Sequence, residues 1–337
     1  MTVISEAAWD EAVAAVRDAR RVLLVGHVAP DGDALGSALA VGLALQHSDA
    51  DVHVEVSFGD DPFVVPANLA SLPGLDLLVA PDKVDAPDVV LSFDASSVDR
   101  LGCLRDLAES ASHLIAVDHH ASYDGFGSIH LVDTSAPATA VLAEQLIDRL
   151  GLSVDADVAA NLYTGLVTDT GSFRYAGTTS QTLAFAGRLL DTGIRFDLIA
   201  RELFDTVPFA YLGLLGRALD RAVLEPDAAG GLGLVWTVVP AADRRSAGLA
   251  LDMVEPVIDS VRKAGEAEVA VVVKEDDEGV LKVSLRSKGS IDVSQVAVVL
   301  GGGGHRYAAG YTATTVDVEQ LVARLRELLA EAPHLQP

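Results

Sequence analysis

Three apolar runs constrain this chain most, because each stops on a residue type that can ligate a metal or a phosphate. "RVLLVGH" at 21–27 ends in His27, "DVVLSFD" at 88–94 ends in Asp94, and "HLIAVDHH" at 113–120 ends in Asp118, His119 and His120. Continuous apolar runs of this length fit strands buried on both faces, the pattern of parallel sheets covered by helices. A small-residue helix, "ALGSALAVGLALQH", and an alternating strand, "DVHVEVSF" at 51–58, lie between the first two runs. A short helix around 98–109 precedes the third. This order predicts an α/β fold whose N-terminal domain is doubly wound on a mainly parallel sheet. In such sheets ligands collect beyond the carboxyl ends of the strands, so the three polar ends are expected to meet.

From about 137 to 222 the chain reads as helical. "PATAVLAEQLIDRLG" has proline at its start and glycine just past its end, the asymmetry helices favour. "DADVAANLYTGLVTDTGSF" reads as a helix running into Asp169, with further helices near 179–192, 195–205 and 208–222. "LGLVWTVV", "AEVAVVVKE" and "GVLKVSLRS" then read as strands, the last two as a hairpin about "DDEG". "DVSQVAVVL" reads as a helix, "GGGGHRYAAG" as a loop and "DVEQLVARLRELLAE" as a closing amphipathic helix. The expected division is 1–200 for the first domain, 201–230 for a helical linker and 231–337 for a smaller α/β domain.

Composition excludes several alternatives. Cys103 is the single cysteine, so neither a disulfide framework nor a zinc site built on several thiolates is available. Its place on an apolar helix face suggests core. No apolar run approaches the roughly 18 residues that span a bilayer. The N-terminal stretch has early acids and no basic region, so no secretory signal is expected and the cytoplasm is the expected compartment. The net charge is -25, from 49 acidic and 24 basic residues. Such a field repels long polyanions, so any nucleic-acid partner is expected to be short, with no long nucleic acid, and without a bilayer-spanning run no membrane is expected as a partner.

The polar strand ends carry the chemistry. Asp-His-His alone could be a polar strand end, and Asp31 or Asp33 alone could cap the helix that follows "HVAPDGD". Together, His27, Asp31, Asp33, Asp94, His119 and Asp169 are more ligand-type residues than one ion needs. Carboxylates and imidazoles without thiolates suit Mn²⁺ or Mg²⁺, and two ions about 3.5–4 Å apart would clamp a phosphoryl oxygen and acidify a water. His47, His53, His113, His130 and His334 have no such partners at useful spacing and read as structural or exposed. Arg174, just beyond Asp169, reads equally as a phosphate contact or a structural pair.

"HVAPDGDALGS", "FDAS", "DHHAS" and "TDTGSFR" resemble, in order, the four motifs of the DHH phosphoesterase superfamily. "RSKGSIDVSQVAVVLGGGGHRYAAG" resembles its accessory DHHA1 domain. Nearly the whole chain is covered, and its length and two units are similar to the group of bifunctional oligoribonucleases and 3′-phosphoadenosine 5′-phosphate (pAp) phosphatases. "FDAS" departs slightly from relatives with a more acidic or threonine-rich stretch there, but Asp94 is present.

The resemblance implies one Mn²⁺ on His27, Asp31 and Asp94 and another on Asp33, Asp94, His119 and Asp169, with Mg²⁺ or Co²⁺ as substitutes. It implies Asp118 orienting an imidazole, His120 on the scissile phosphate or leaving group, and an activated hydroxide attacking phosphorus. It also implies an interdomain active-site cleft, a homodimer, and substrates among oligoribonucleotides of a few residues, pAp and linear or cyclic dinucleotides such as cyclic di-AMP. Gly301 to Gly304 can turn successive N–H groups toward an anion. His305, Arg306, Arg286 and Ser287 are donors suited to phosphate; with Gly303 and Gly304 they form the expected substrate grip. A soluble inorganic pyrophosphatase shares the first four motifs but carries a different accessory domain. A processive single-strand exonuclease is longer. A cyclic-dinucleotide sensor with a decayed site would lack ligands that are intact here.

Overall fold

Val22 and Leu24 belong to one apolar core and Leu23 and Val25 to another, so strand β1 (Arg21–Gly26) is buried on both faces. This is the alternation that a strand at the centre of a helix-covered sheet requires. The computed structural model describes residues 4–49, 51–175, 177–314, 317–332 and 335; His334 lies outside them. Two units divide the chain, Met1–Thr206 and Val207–Pro337.

In the first unit β1 is joined by β2 (His53–Phe58), β3 (Val89–Phe93), β4 (His113–Asp118) and β5 (Ile129–Val132). All pairings are parallel and the order is β2-β1-β3-β4-β5. The order reverses between β1 and β3, so the crevice outside their carboxyl ends is the topological switch point where ligands bind. The helices are α1 (Glu6–Asp18), α2 (Gly32–Gln46), α3 (Arg105–Ser110), α4 (Thr139–Leu150), α5 (Ala156–Asp169), α6 (Ser180–Asp191) and α7 (Phe196–Phe204). Residues of α1, α2, α4, α5 and α6 build the larger core, while Leu101, Leu104 and Ala108 cover the opposite sheet face.

One strand is added to the expected set and one expected helix changes. β5 was not legible as a strand; it is four residues long, and only Ile129 and Leu131 are buried. The helix expected at 98–109 is a 3₁₀ segment, Val98–Leu104, followed by α3, with a break at Gly102, whose φ is 57°. That break leaves Leu101 and Leu104 in the core and turns Cys103 outward, so the cysteine is exposed rather than buried.

The second unit contains α8 (Phe209–Asp220), β6 (Val223–Glu225), the short turn α9 (Ala228–Gly231), β7 (Leu234–Val239), α10 (Ala241–Ser246) and α11 (Val257–Val261). It continues with β8 (Val269–Glu275), β9 (Leu281–Ser287), α12 (Val293–Val299), β10 (Gly303–His305), β11 (Ala308–Thr312) and α13 (Val318–Glu331). The sheet is mixed, in the order β10-β11-β9-β8-β7-β6, with only β7 and β8 parallel. Val269, Val271 and Val273 face the core that includes residues of α12 and α13, and Ala270 and Val272 face the core that includes residues of α8 and α11.

The glycine-rich segment expected as a loop is instead a β-hairpin, β10 with β11, on the edge of β9. Two of its glycines serve close backbone approach: a Cβ on Gly302 would come within 2.1 Å of the Gly310 carbonyl oxygen, and one on Gly304 within 2.6 Å of the Ala308 carbonyl oxygen. Among the described residues no helix is long and apolar enough to cross a membrane.

Candidate metal centre

The carboxyl ends of β1, β3 and β4 bring three groups of side chains together around Asp94. The ligand-type atoms of His27, Asp31 and Asp94 lie within 4.8 Å of one another, as do those of Asp33, Asp94 and His119, and those of Asp94, Asp118 and His120. Asp94 is common to all three and is buried. It immediately follows β3 at φ 60°, in the left-handed region that non-glycine residues avoid. Its N–H donates to the Val117 carbonyl at 3.0 Å, which ties this turn to β4. Such strain persists where the surrounding structure over-determines it, typically at functional sites.

Each histidine is oriented through one ring nitrogen. His119 Nδ1 lies 3.0 Å from the Ala136 carbonyl, so it carries the proton and Nε2 faces Asp169 Oδ2 at 3.0 Å and Asp94 Oδ1 at 3.4 Å. His27 Nδ1 lies 2.8 Å from the Val28 carbonyl, and Nε2 faces Asp94 Oδ2 at 3.6 Å and Asp31 Oδ1 at 3.8 Å. Arg100 Nη2 approaches the same Nδ1 at 2.9 Å. A guanidinium only donates, so this nitrogen satisfies Arg100 or Val28 at one time, and a ligating Nε2 requires the Val28 partner. His120 Nδ1 meets Asp118 Oδ1 at 2.7 Å. The two adjacent rings stand at 74°, one turned to Asp169 and the other to Asp118, which is what the doubled histidine accomplishes.

The carboxylates are held as firmly. Asp31 caps α2, its Oδ1 accepting from the N–H groups of Asp33 and Ala34 at 3.0 Å each, so the capping reading holds, and the same carboxylate stands within ligand reach of His27 and Asp94. Asp33 points to α4, accepting from Thr139 N–H at 2.6 Å and Ala140 N–H at 2.9 Å, with Ser37 Oγ at 3.3 Å. Asp169 is the last residue of α5.

Burial, with repulsion from Asp94 and Asp169, pushes Asp33 well above the usual carboxylate range. Asp94 is held well below it against the cost of burial, by the charge of His120 and the contacts with His119 and His27. His27 is raised to about 10: burial opposes the charge, but Asp31 and Asp94 outweigh it. His119 is raised well above its ordinary value, against burial, by Asp169 and Asp94.

These residues fit a divalent cation. The imidazole Nε2 atoms and carboxylate oxygens converge without a thiolate, a mixture in which the carboxylates suit hard cations and the imidazoles suit first-row transition ions. Several facing distances exceed hydrogen-bond length, and the buried carboxylates repel one another in a way that positive charge would relieve.

Thr139 and Arg100 were missed by the motif reading. Both lie far along the chain from the groups they touch, Thr139 at the start of α4 and Arg100 in the 3₁₀ segment, positions without a ligand signature. Arg174 folds back, its Nε donating to the Gly171 carbonyl at 2.5 Å. His47 pairs with Asp155 at 2.8 Å and His130 meets the Tyr123 hydroxyl at 2.6 Å, and neither belongs to the groups around Asp94.

The expected substrate grip lies in the second unit. Arg286 and Ser287 end β9, and Gly303, Gly304 and His305 form β10. Ser287 is buried and donates to Glu268 at 2.8 Å, Arg286 Nη1 donates to the Leu285 carbonyl, and Arg306 is exposed, with Nε 3.6 Å from Asp292.

Residues 21–166 match the DHH family, N-terminal domain, and residues 237–331 match the DHHA1 domain. The chain is 33% identical over 314 residues to the bifunctional oligoribonuclease and PAP phosphatase NrnA of Thermus thermophilus, covering 92% of this chain and 89% of that one. It is 23% identical over 332 residues to the cyclic-di-AMP phosphodiesterase GdpP of Bacillus subtilis, covering 94% of this chain and 48% of that protein. In structure it is similar to an exopolyphosphatase-related protein from Bacteroides fragilis, with a TM-score of 0.87, 26% identity and 98% of each chain covered.

Proposed function

Because this chain belongs to the DHH family and carries a DHHA1 domain, we propose that it is a phosphoesterase of short nucleotides. It hydrolyses oligoribonucleotides of a few residues to mononucleotides, converts pAp to AMP and opens linear or cyclic dinucleotides. The observation that carries this reading is the sharing of Asp94 by three groups of ligand-type side chains at the switch point of the sheet. The names of the Thermus and Bacillus relatives support the substrate classes.

His27, Asp31 and Asp94 would hold one divalent cation, and Asp33, Asp94, His119 and Asp169 a second, with manganese the first choice. Bound there, such ions supply Lewis acidity to the phosphoryl oxygens and bring the pKa of a water down to about 7. The chain's own residues do the rest. Asp118 Oδ1 holds His120 Nδ1 at 2.7 Å and so fixes which face of the ring meets the substrate. Burial opposes a charged His120, but Asp94 and Asp118 raise its pKa, which favours the proton-bearing form. Through Nε2 it can neutralise charge developing on a phosphoryl or leaving oxygen. Arg286, His305 and Arg306 supply phosphate contacts in the second unit.

The test is product analysis with Mn²⁺ and with chelator on pAp, RNA of 2 to 24 nucleotides, cyclic di-AMP and pyrophosphate. Mononucleotide release from the short RNAs and AMP from pAp, abolished by chelator, is the expected result. Hydrolysis of pyrophosphate alone, or nucleotide turnover indifferent to chelator, would overturn the reading.

A further inference from the structure

Thr139 opens α4, is fully buried, and sends its two polar hydrogens to two different carboxylates. Its backbone N–H donates to Asp33 Oδ2 at 2.6 Å and its hydroxyl to Asp94 Oδ1 at 2.9 Å. The helix has no side-chain cap of its own, since Ala138 stands at the cap position. Asp33, arriving from α2, satisfies the first N–H groups of α4 that a cap would otherwise take. One residue therefore fixes a carboxylate from the β1 end and a carboxylate from the β3 end.

The consequence for Asp94 is orientational. Its two oxygens face different imidazoles: Oδ2 faces His27 Nε2 at 3.6 Å and Oδ1 faces His119 Nε2 at 3.4 Å. Nothing intrinsic to a carboxylate keeps its plane at that setting, because rotation about Cβ–Cγ is soft. A hydroxyl that occupies one lone pair of Oδ1 removes this freedom and leaves the others for ligation.

We propose that Thr139 is a positioning residue for the candidate metal centre, locking the Asp94 carboxylate so that its two oxygens serve two separate cations. This rests on the reading of that cluster as a metal site. It differs from a packing role because the hydroxyl, rather than the volume, is the functional part.

The test compares Thr139→Val, which keeps the shape and the backbone N–H, with Thr139→Ser, which keeps the hydroxyl. Mn²⁺ binding to the metal-free proteins is titrated by calorimetry and by electron paramagnetic resonance, with folding checked by circular dichroism. The unaltered chain should bind two ions. T139V should bind one of them roughly 10–100-fold more weakly, the range for losing a group that orients a ligand, and should lose the spectrum of a coupled ion pair. T139S should recover both. If T139V does not fold, Thr139→Ala takes its place with the same expected split. Two ions bound with unaltered affinity by the hydroxyl-free variant would overturn the proposal while leaving the metal centre standing, as would T139S binding no better than that variant. No divalent ion bound by the unaltered chain would overturn both.

Discussion

Asp94 and the histidines around it form a set of charges that is mutually dependent. Without a cation, His27 is an imidazolium at neutral pH, since its pKa is raised to about 10. A ligating Nε2 must be deprotonated, so loading the site expels that proton. At pH 7 we expect about one proton or more released per chain as Mn²⁺ binds, read by calorimetry in buffers of different ionisation enthalpy. Heats that do not depend on the buffer would contradict the assignment. The same shift sets the stability of the metal-free protein. A folded-state pKa above the ordinary 6.5 gives stability that is fully present below 6.5 and lost as pH rises through about 10. Melting temperature without metal should therefore fall across that window, and excess Mn²⁺ should flatten the fall. For His120, held by Asp118 and assigned to the substrate, His120→Ala should lower kcat by roughly 10²–10⁴-fold. Metal content should remain unaltered, and loss of an ion in that variant would show His120 to be a ligand instead.

At the scale of elements, the site depends on how closely α2 and α5 meet. Nearly every residue of α2 is buried, which is why its sequence is written in Ala, Gly, Ser and Leu. A Cβ on Gly36 would come within 2.6 Å of the Asn161 carbonyl oxygen of α5. Alanine there would gain up to about 1 kcal/mol of helix propensity. The contact is with backbone, so the helices must part, a strain of roughly 1–3 kcal/mol. Because Asp33 and Asp169 ride on these two helices, Gly36→Ala should lower both the urea midpoint and the affinity for Mn²⁺. A variant more stable than the parent, with intact metal affinity, would show that the helices can yield. The second unit uses its glycines likewise: "GGGGHRYAAG" is a paired hairpin because β9 offers an edge to pair with, and glycine lets the backbones approach.

Over the whole molecule the net charge of -25 opposes polyanions. A substrate of two to five nucleotides carries few phosphates, and a longer one must send the rest over an acidic surface. We expect kcat/KM to fall steeply beyond about five nucleotides, and equal rates on 24-nucleotide and 2-nucleotide RNA would refute this. Arg306 is exposed and stands 3.6 Å from Asp292, so its guanidinium is accessible to a phosphate. Arg306→Ala should raise KM for dinucleotides roughly 10–150-fold, the loss of a charge-assisted hydrogen bond. It should barely affect bis-p-nitrophenyl phosphate; equal impairment on both substrates would remove Arg306 from the grip.

The strand ends, the parallel sheet and the ligand-type residues were legible in the sequence because they depend on local pattern. An apolar run that stops on His or Asp marks both a buried strand and the end where ligands gather. The strand-like runs "AEVAVVVKE" and "GVLKVSLRS" about the turn "DDEG" likewise sufficed for the hairpin of β8 and β9. What the sequence left undetermined are contacts between distant segments. The edge strand β5 is too short and too little buried to announce itself, and the turn at Gly102 decided that Cys103 faces solvent. Which carboxylate oxygen faces which imidazole, and the grip of Thr139 on Asp33 and Asp94, follow from where α4 begins against α2 and β3. Residue type and spacing set which atoms can bond; only the packing of helices against the sheet sets the few tenths of an ångström that decide which of them do.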